Sequence, residues 1–255
     1  MEGYDASTYG DRFAEVYDDW YGDLTDAEAC ADHVAALVAS LGGGPVLELG
    51  IGSGRLALPL LERGLEVHGL DASAAMVVRL RAKPGGDRVP VMIGDMADLP
   101  LVDPPPFTVV LVAFNTFFNV ASDEGQRRCL GRVRDVLAPG GALVLEAFVP
   151  DAPSGRGIDG ALTPRRITAD EVVLAVSQRD RAAQTVTGQH VHITEAGIRL
   201  RPWHLRYATP DQLDAMAADA GLVLAERTAG WRGEPFTENS DVHVSVYRRG
   251  RFKDR

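Results

Sequence analysis

The feature that most restricts the fold is a short apolar run that passes directly into closely spaced glycines. Residues 46–49 form the run, and Gly50, Gly52 and Gly54 follow at alternating positions before a helical pattern begins. A strand that feeds a helix within about four residues needs backbone angles and close approaches that glycine allows without a clash. The amides and the dipole at the start of that helix would face an anionic group. The stretch therefore predicts a nucleotide-type binding turn, although glycine clusters also occur in plain loops.

Composition limits the class of protein. The chain has 255 residues, of which 45% are hydrophobic and 24% charged, as in ordinary globular proteins. A formal charge of -10 argues against a nucleic-acid or anionic-membrane partner, so we expect a small-molecule ligand. No basic start followed by an apolar segment and no membrane-length apolar run is present, which predicts a cytoplasmic protein. Cys30 and Cys129 fall on predicted helix stripes, so we expect buried core thiols and no metal site.

Apolar runs alternate with helical patterns over the first part of the chain, which is typical of a βαβ fold with a parallel sheet. The runs predict five strands, at 46–49, 65–70, 89–94, 107–114 and 142–148. Polar and apolar residues then alternate over 171–207, which predicts three antiparallel strands. A capped helix from Thr209 to Gly221 and strands at 222–226 and 242–248 complete the chain. We expect Pro104 to Pro106 to form a surface connection.

The N-terminal segment is rich in aromatic residues. Phe13, Tyr17, Trp20 and Tyr21 recur at helical spacing, so one face of a short helix would be almost entirely aromatic. Such a face can be the packing surface of a core helix, or it can be a lid whose rings and hydroxyls cover a ligand. The sequence leaves both interpretations open.

Two carboxylates follow predicted strands. Asp71 lies about 20 residues beyond the glycines, an offset that in a doubly wound sheet places a carboxylate near both ribose hydroxyls of a nucleoside. Asp95 follows the third strand. A carboxylate at a strand end is also a common helix cap, so the position of Asp71 alone does not decide its role.

Taken together, these pieces resemble the class I S-adenosylmethionine-dependent methyltransferases over nearly the whole chain. The resemblance rests on four signatures in order: the segment 48–55, Asp71, the segment 94–96 and the segment 137–141. The G-x-G-x-G spacing after Glu48 differs from the G-x-G-x-x-G of dinucleotide dehydrogenases. The implied fold is a Rossmann-like α/β domain with a seven-stranded, mostly parallel sheet and a small antiparallel β insertion after the fifth strand.

The resemblance also implies an organisation and a cofactor site for S-adenosylmethionine. The segments would be a lid with helices (1–44), the cofactor-binding core (45–149), a substrate-cavity insertion (150–208) and the last helix and strands (209–255). The glycines would approach the methionine portion, Asp71 the ribose, Met76 and Asp95 the adenine, and Phe114 and Asn115 the sulfonium. The full set of expected cofactor residues is Tyr9, Tyr17, Glu48, Gly50, Gly52, Gly54, Asp71, Ala72, Met76, Asp95, Met96, Phe114 and Asn115.

Within the class, the aromatic N-terminus and the insertion are similar to small-molecule N-methyltransferases, including those that act on nucleotide-linked aminosugars. Where that group has a His thought to act as base, this chain has Asn119, which cannot take up a proton. Positioning can supply roughly 7–11 kcal/mol, whereas a base adds a factor of about 10²–10⁴, so an amine can be methylated without one. We expect catalytic roles for His204, Asn119 and Tyr17. We expect substrate contacts from Trp20, Tyr21, Phe118, Glu146 and Trp203.

The sequence favours methylation of a nitrogen on a small specialised metabolite. O-methylation, a nicotinamide dehydrogenase and a non-catalytic cofactor-binding module remain as alternatives. His190 and His192 share a strand face, but no third ligand accompanies them, so we expect no metal. The acceptor, the number of methyl groups transferred and the oligomeric state stay open, with a homodimer among the options.

Overall fold

A computed structural model describes residues 1–22, 26–100, 107–150 and 158–250 of the chain. These residues form two β-sheets with helices packed around the larger one. The strands of the larger sheet are β1 (Val46–Leu49), β2 (Val67–Asp71), β3 (Val91–Ile93), β4 (Phe107–Val112), β5 (Leu137–Phe148), β10 (Leu222–Thr228) and β11 (Val242–Arg249). The strands of the smaller sheet are β6 (Ile158–Ile167), β7 (Glu171–Asp180), β8 (Thr185–Thr194) and β9 (Gly197–Arg206).

The larger sheet has seven strands in the order β10-β11-β5-β4-β1-β2-β3. Strands β1 to β5 pair in parallel, and β11 runs antiparallel to both β5 and β10. The predicted seven-stranded, mostly parallel sheet is confirmed. Every residue of β1 and β4 is buried, as expected of central strands covered on both faces. The carboxyl ends of β1, β2, β3 and β4 therefore meet at one edge, where a ligand site forms in such sheets.

Seven α-helices lie in the described ranges: α1 (Thr8–Phe13), α2 (Tyr17–Tyr21), α3 (Ala27–Ser40), α4 (Ala57–Glu62), α5 (Ala74–Arg81), α6 (Asp123–Val136) and α7 (Pro210–Asp219). None of them is long and apolar enough to cross a bilayer. Apolar side chains from these helices and from the two faces of the larger sheet form two buried clusters. Cys30 and Cys129 are free thiols within them, as predicted.

Side-chain caps set where several helices begin. Thr209 and Gln212 form the predicted capping box of α7, with Pro210 in its first turn. Helix α6 is capped by Ser122, whose hydroxyl accepts from the Gly125 amide at 3.0 Å. Asp26 caps α3 by accepting from the Ala29 amide at 2.9 Å.

The smaller sheet differs from the three strands predicted for the insertion. It has four, in the order β6-β7-β8-β9, and β6 pairs antiparallel with β7 from Ile158↔Asp180 to Ile167↔Val172. All ten residues of β6 are exposed. Because alternation of polar and apolar residues appears only where one face of a strand is buried, the sequence of β6 carries no strand signal. Turns at 181–184 and 195–196 join β7 to β8 and β8 to β9.

Strand boundaries shift by a few residues from those predicted. The largest shift is in β5, which begins at Leu137 and not at Ala142, because Leu137 already pairs with Phe107 before the register changes. The predicted connection at Pro104 to Pro106 lies outside the described residues. The division of the chain into four functional segments stays a prediction.

Candidate active site

The glycine turn at the end of β1 is closely surrounded. Gly50, Gly52 and Gly54 all have positive φ, at 69°, 56° and 81°. A Cβ atom on Gly50 would lie 2.3 Å from Cγ2 of Thr116, which excludes any larger residue there. The turn therefore brings the backbone of β1 against the segment that follows β4.

Asp71, the last residue of β2, holds this turn in place. Its Oδ2 accepts from the Gly52 amide at 2.7 Å, and its Oδ1 accepts from the Ser73 amide at 2.8 Å. Burial raises the pKa of the Asp71 carboxyl, and the two amide donors act in the opposite direction. Each carboxylate oxygen has about two lone-pair sites, so each can accept one further hydrogen bond from a hydroxyl of a ligand.

A cavity of about 280 Å³ opens at the carboxyl ends of the strands. We call it the central cavity. It is lined by nine residues predicted to bind the cofactor, Tyr9, Tyr17, Gly50, Gly52, Asp71, Ala72, Met76, Asp95 and Met96, and by the predicted catalytic residue Asn119. Asp95 caps the short 3-10 helix Met96–Asp98 by accepting from the Ala97 amide at 2.8 Å. The strand-end residues expected together from the sequence thus lie around one space.

Residues 1–22, with α1 and α2, cover this cavity, and we call them the roof. Tyr9 and Tyr17 line the cavity, whereas Phe13 between them is fully buried. Asp18 accepts from the hydroxyl of Ser53 in the glycine turn at 2.5 Å and pairs with Lys83 at 2.8 Å. Within the aromatic stripe, the Phe13 ring therefore packs in the core, whereas the Tyr17 ring faces the cavity beside Tyr9.

The corner after β4 has two consecutive non-glycine residues with positive φ, Phe114 at 53° and Asn115 at 63°. Each such residue costs about 1–3 kcal/mol and persists only where its surroundings impose it. The Phe114 amide donates to Oε2 of Glu146 at 2.7 Å, and Oδ1 of Asn115 accepts from the Phe148 amide at 2.6 Å. Oε1 of Glu146 accepts from Nε1 of Trp231 at 3.0 Å. Glu146, predicted to contact substrate, thus holds the corner through Oε2 and Trp231 through Oε1.

A buried acid and a cation lie behind the glycine turn. Glu48 is 5% exposed, and its Oε2 has no hydrogen-bond partner among the described residues. Burial raises the pKa of Glu48 to about 8, although the positive charge of Arg55 opposes this. The Arg55 guanidinium lies 4.1 Å from the centre of the Phe114 ring and 5.9 Å from that of Tyr17. Arg55 follows the third glycine directly, a position that the sequence interpretation did not use.

Several predicted residues lie away from the central cavity. Nδ1 of His204 is hydrogen-bonded to the Thr187 hydroxyl at 2.8 Å, and burial lowers the pKa of its imidazole. Phe118 is fully buried in the core. Neither His204 nor Phe118 is a lining residue, and the same holds for Glu48, Gly54, Phe114, Asn115, Glu146 and Trp203. Trp20 and Tyr21 line a second, smaller cavity.

The central cavity also includes residues that the sequence did not single out. From the roof these are Tyr4, Asp5, Ala6 and Gly10, and from the segments after β4 and within α6 they include Thr116, Val120, Ala121, Ser122, Gly125 and Arg128. Position 10 requires glycine, because a Cβ there would lie 2.4 Å from Cβ of Ser73. Helix α1 can therefore approach the start of α5 only with glycine at this position. No group of three or more His, Cys, Asp or Glu suited to a metal occurs in the described ranges.

The strand order, the glycine turn and the carboxylates after β2 and β3 define a class I S-adenosylmethionine-dependent methyltransferase, and the chain belongs to this family. A family model described as a methyltransferase domain matches residues 46–141. The CcbJ methyltransferase of Streptomyces caelestis has 40% sequence identity and a TM-score of 0.88, with 97% of this chain and all of that chain covered.

Two further relatives carry more specific names. The cypemycin N-terminal methyltransferase of a Streptomyces species is 28% identical over 247 residues, which span 96% of this chain and 99% of the relative. CalS10 of Micromonospora echinaspora is an amino pentose methyltransferase of calicheamicin biosynthesis, solved with bound S-adenosylmethionine. It is 25% identical with a TM-score of 0.67, and the match covers 92% of this chain and 96% of CalS10.

The cofactor of this family is S-adenosylmethionine, and the described residues fit it. The glycine turn leaves no side chain where the backbone borders the cavity, and Asp71 keeps acceptor capacity for ribose hydroxyls. The unpartnered Oε2 of the buried Glu48 lies behind the turn that would hold the cationic methionine end. The particular role of each residue remains the proposal made from the sequence.

Proposed function

We propose that the chain transfers the methyl group of S-adenosylmethionine to a nitrogen atom of a small specialised metabolite. The observation that carries the proposal is the chemistry of the central cavity. Its titratable lining residues are Tyr4, Asp5, Tyr9, Tyr17, Asp71, Asp95 and Arg128. No His or Cys is among these described lining residues, so the cavity lacks the side chains that most often act as bases near neutral pH.

The tyrosines cannot replace such a base. Burial raises the pKa of Tyr4, Tyr9 and Tyr17 above their ordinary value, so each keeps its proton at neutral pH. Asn119 lines the cavity and donates through Nδ2 to the Thr116 carbonyl at 3.3 Å, but its amide has no basic nitrogen. The cavity therefore favours an acceptor that supplies its own lone pair.

An amine is such an acceptor. The cofactor supplies an electrophilic methyl group on a sulfonium, and an amine in its neutral form can attack it without losing a proton first. Orientation within a closed site can supply roughly 7–11 kcal/mol of the barrier reduction. A phenol or an alcohol would need its proton removed and would lose the factor of about 10²–10⁴ that a base provides. The rigid rings of the roof, Tyr17 among them, are suited to orienting the amine.

The relatives support the same choice. One is named for methylation at an N-terminus and another for methylation of an amino pentose, so both names refer to amine-bearing acceptors of different size. Their identities to this chain, 28% and 25%, extend over nearly its whole length and include the insertion sheet. We therefore propose an amine acceptor without assigning it to either of these two substrates.

The test is a labelled-methyl assay on matched acceptors. The enzyme is incubated with deuterated-methyl S-adenosylmethionine and a panel of amino sugars, peptides with free N-termini and phenols, and products are located by mass spectrometry. We expect label on nitrogen, and a rate that follows the fraction of neutral amine as pH rises. His204→Asn should keep the activity within several-fold. Label confined to oxygen, or loss of activity in His204→Asn at unchanged cofactor affinity, would contradict the proposal.

A further inference from the structure

A second cavity, of about 190 Å³, lies between α2 and the insertion sheet. We call it the distal cavity. It is lined by Asp19, Trp20, Tyr21, Arg165, Arg166, Val173 and His190. The sequence assigned Trp20 and Tyr21 to the substrate, but the two arginines and His190 have no role in the methyl transfer described above.

The two cavities share a wall of tyrosine rings. Tyr9 lines the central cavity and Tyr21 lines the distal cavity, and both rings pack against the Phe13 ring, with centroid separations of 4.4 and 6.2 Å. The Tyr17 ring, also on the central side, has its centre 5.1 Å from that of Tyr21. The two cavities therefore border the same cluster of aromatic rings.

The lining of the distal cavity carries more basic than acidic residues. Arg165 and Arg166 line it, and Asp19 is the acidic residue of its lining. Arg166 is paired with Glu171 at 2.6 Å, so its charge is already balanced. Arg165 is the other arginine of the lining, and Tyr21 and His190 line the same cavity.

His190 gives an independent indication of a ligand. Its side chain is 8% exposed, and Nδ1 has no hydrogen-bond partner in the part of the chain that the structure describes. A buried polar atom without a partner is unfavourable unless a ligand supplies one. Burial, with help from nearby Arg165 and Arg201, lowers the pKa of His190 to about 4. At neutral pH the ring is uncharged, and Nδ1 can carry a proton and donate a hydrogen bond.

We propose that the acceptor amine also carries a carboxylate, and that Arg165 and His190 bind this carboxylate in the distal cavity while Trp20 covers the carbon skeleton. The inference rests on the proposed amine methylation and adds a substrate class to it. A carboxylate matches both donors, because a guanidinium binds it in a planar, charge-assisted way and a neutral imidazole N–H can bind its second oxygen. The Trp20 ring, whose centre lies 5.1 Å from the Arg201 guanidinium, would be a flat apolar wall for the part between the two groups.

The test compares two probes that differ only in charge, 4-(aminomethyl)benzoate and 4-(aminomethyl)benzamide. Their binding is measured by calorimetry on the full chain saturated with S-adenosylhomocysteine. We expect the carboxylate to bind about tenfold more tightly or better than the amide. Arg165→Gln should remove this preference and leave the affinity for the amide unchanged. Arg181→Gln is the matched control, because Arg181 directly follows β7 of the same sheet and pairs with Asp159, and neither residue lines the cavity.

Equal affinities for the two probes, no binding of the carboxylate at millimolar concentration, or an equal effect of the two arginine variants would overturn the inference. His190→Phe keeps a ring in place and should weaken the carboxylate about fivefold or more while sparing the amide. Binding of S-adenosylhomocysteine is measured first in every variant. Its failure in the unmodified chain would contradict the proposed function, whereas its success without a charge preference would contradict only the carboxylate inference.

Discussion

The buried carboxyl of Glu48 predicts a pH-dependent stability that can be separated from all other groups. In the unfolded chain its pKa is near 4.5, and in the folded protein burial raises it to about 8. A raised pKa means that the folded state holds the proton more tightly. The stabilisation is therefore complete below about pH 4.5 and is lost as pH rises through 8. Linkage with these values gives a loss of about 2 kcal/mol between about pH 6.5 and 8.5.

The groups that most strongly oppose this pH dependence titrate below this pH window. His190 and His243 have pKa values lowered to about 4, so their contribution changes only below their ordinary value of 6.5. The unfolding free energy of the cofactor-free protein should be measured by urea titration at several pH values in the unmodified chain and in Glu48→Gln. We expect the unmodified chain to lose about 2 kcal/mol of unfolding free energy relative to Glu48→Gln across this pH window.

The amide in Glu48→Gln has nearly the shape of the acid but does not titrate, so only the slope against pH matters and not the absolute stability. Glu195→Gln, in an exposed turn before β9, is the control and should follow the unmodified chain. Parallel profiles for the unmodified chain and Glu48→Gln would refute the reasoning, because they would mean that Glu48 is ionised in the folded protein throughout.

Three further experiments test the site. Asp71→Ala should weaken S-adenosylhomocysteine binding by roughly 2–4 kcal/mol in calorimetry, since it removes a charged acceptor; unchanged affinity would exclude the ribose role. Phe13→Ala should lower the unfolding free energy by about 3–5 kcal/mol because its ring is fully buried, whereas Tyr17→Ala should mainly lower cofactor affinity, and equal stability losses would argue for packing alone. Gly10→Ala should lift the roof and reduce cofactor affinity, because its Cβ would meet α5. Gly131→Ala, with nothing within 4 Å, should leave that affinity unchanged, and equal effects of the two glycine variants would argue against a roof role.

The central sheet could be predicted because its signals are local. Each buried strand is an apolar run, and each turn that follows carries its own glycine or carboxylate, as at Gly50 and Asp71. The right-handed βαβ connection then determines which strand ends meet. The nine predicted cofactor residues that line the central cavity are all at such strand ends or in the helices beside them.

The rest depends on contacts between distant segments, which leave no pattern in the sequence. Strand β6 is exposed on every residue, so no alternation marks it. The amide of Phe114 is hydrogen-bonded to Oε2 of Glu146, 32 residues further along the chain. The corner with positive φ at Phe114 and Asn115 contains no glycine, so the sequence gives no sign of it. His190 was one of several strand histidines in the sequence, and its unpartnered nitrogen appears only when α2 and the insertion sheet are packed together.

The double contact of Asp18 has a consequence for the timing of catalysis. The same carboxylate holds Ser53 of the glycine turn and pairs with Lys83, so the roof is closed by a partly exposed ionic contact. A transferase must release its spent cofactor after every turnover, and we expect that release to be faster when the roof detaches. Salt screens an exposed pair much more than it affects buried rings. Higher ionic strength should therefore accelerate the release of spent cofactor and weaken the binding of fresh cofactor. Turnover should be fastest at the salt concentration where these two effects balance.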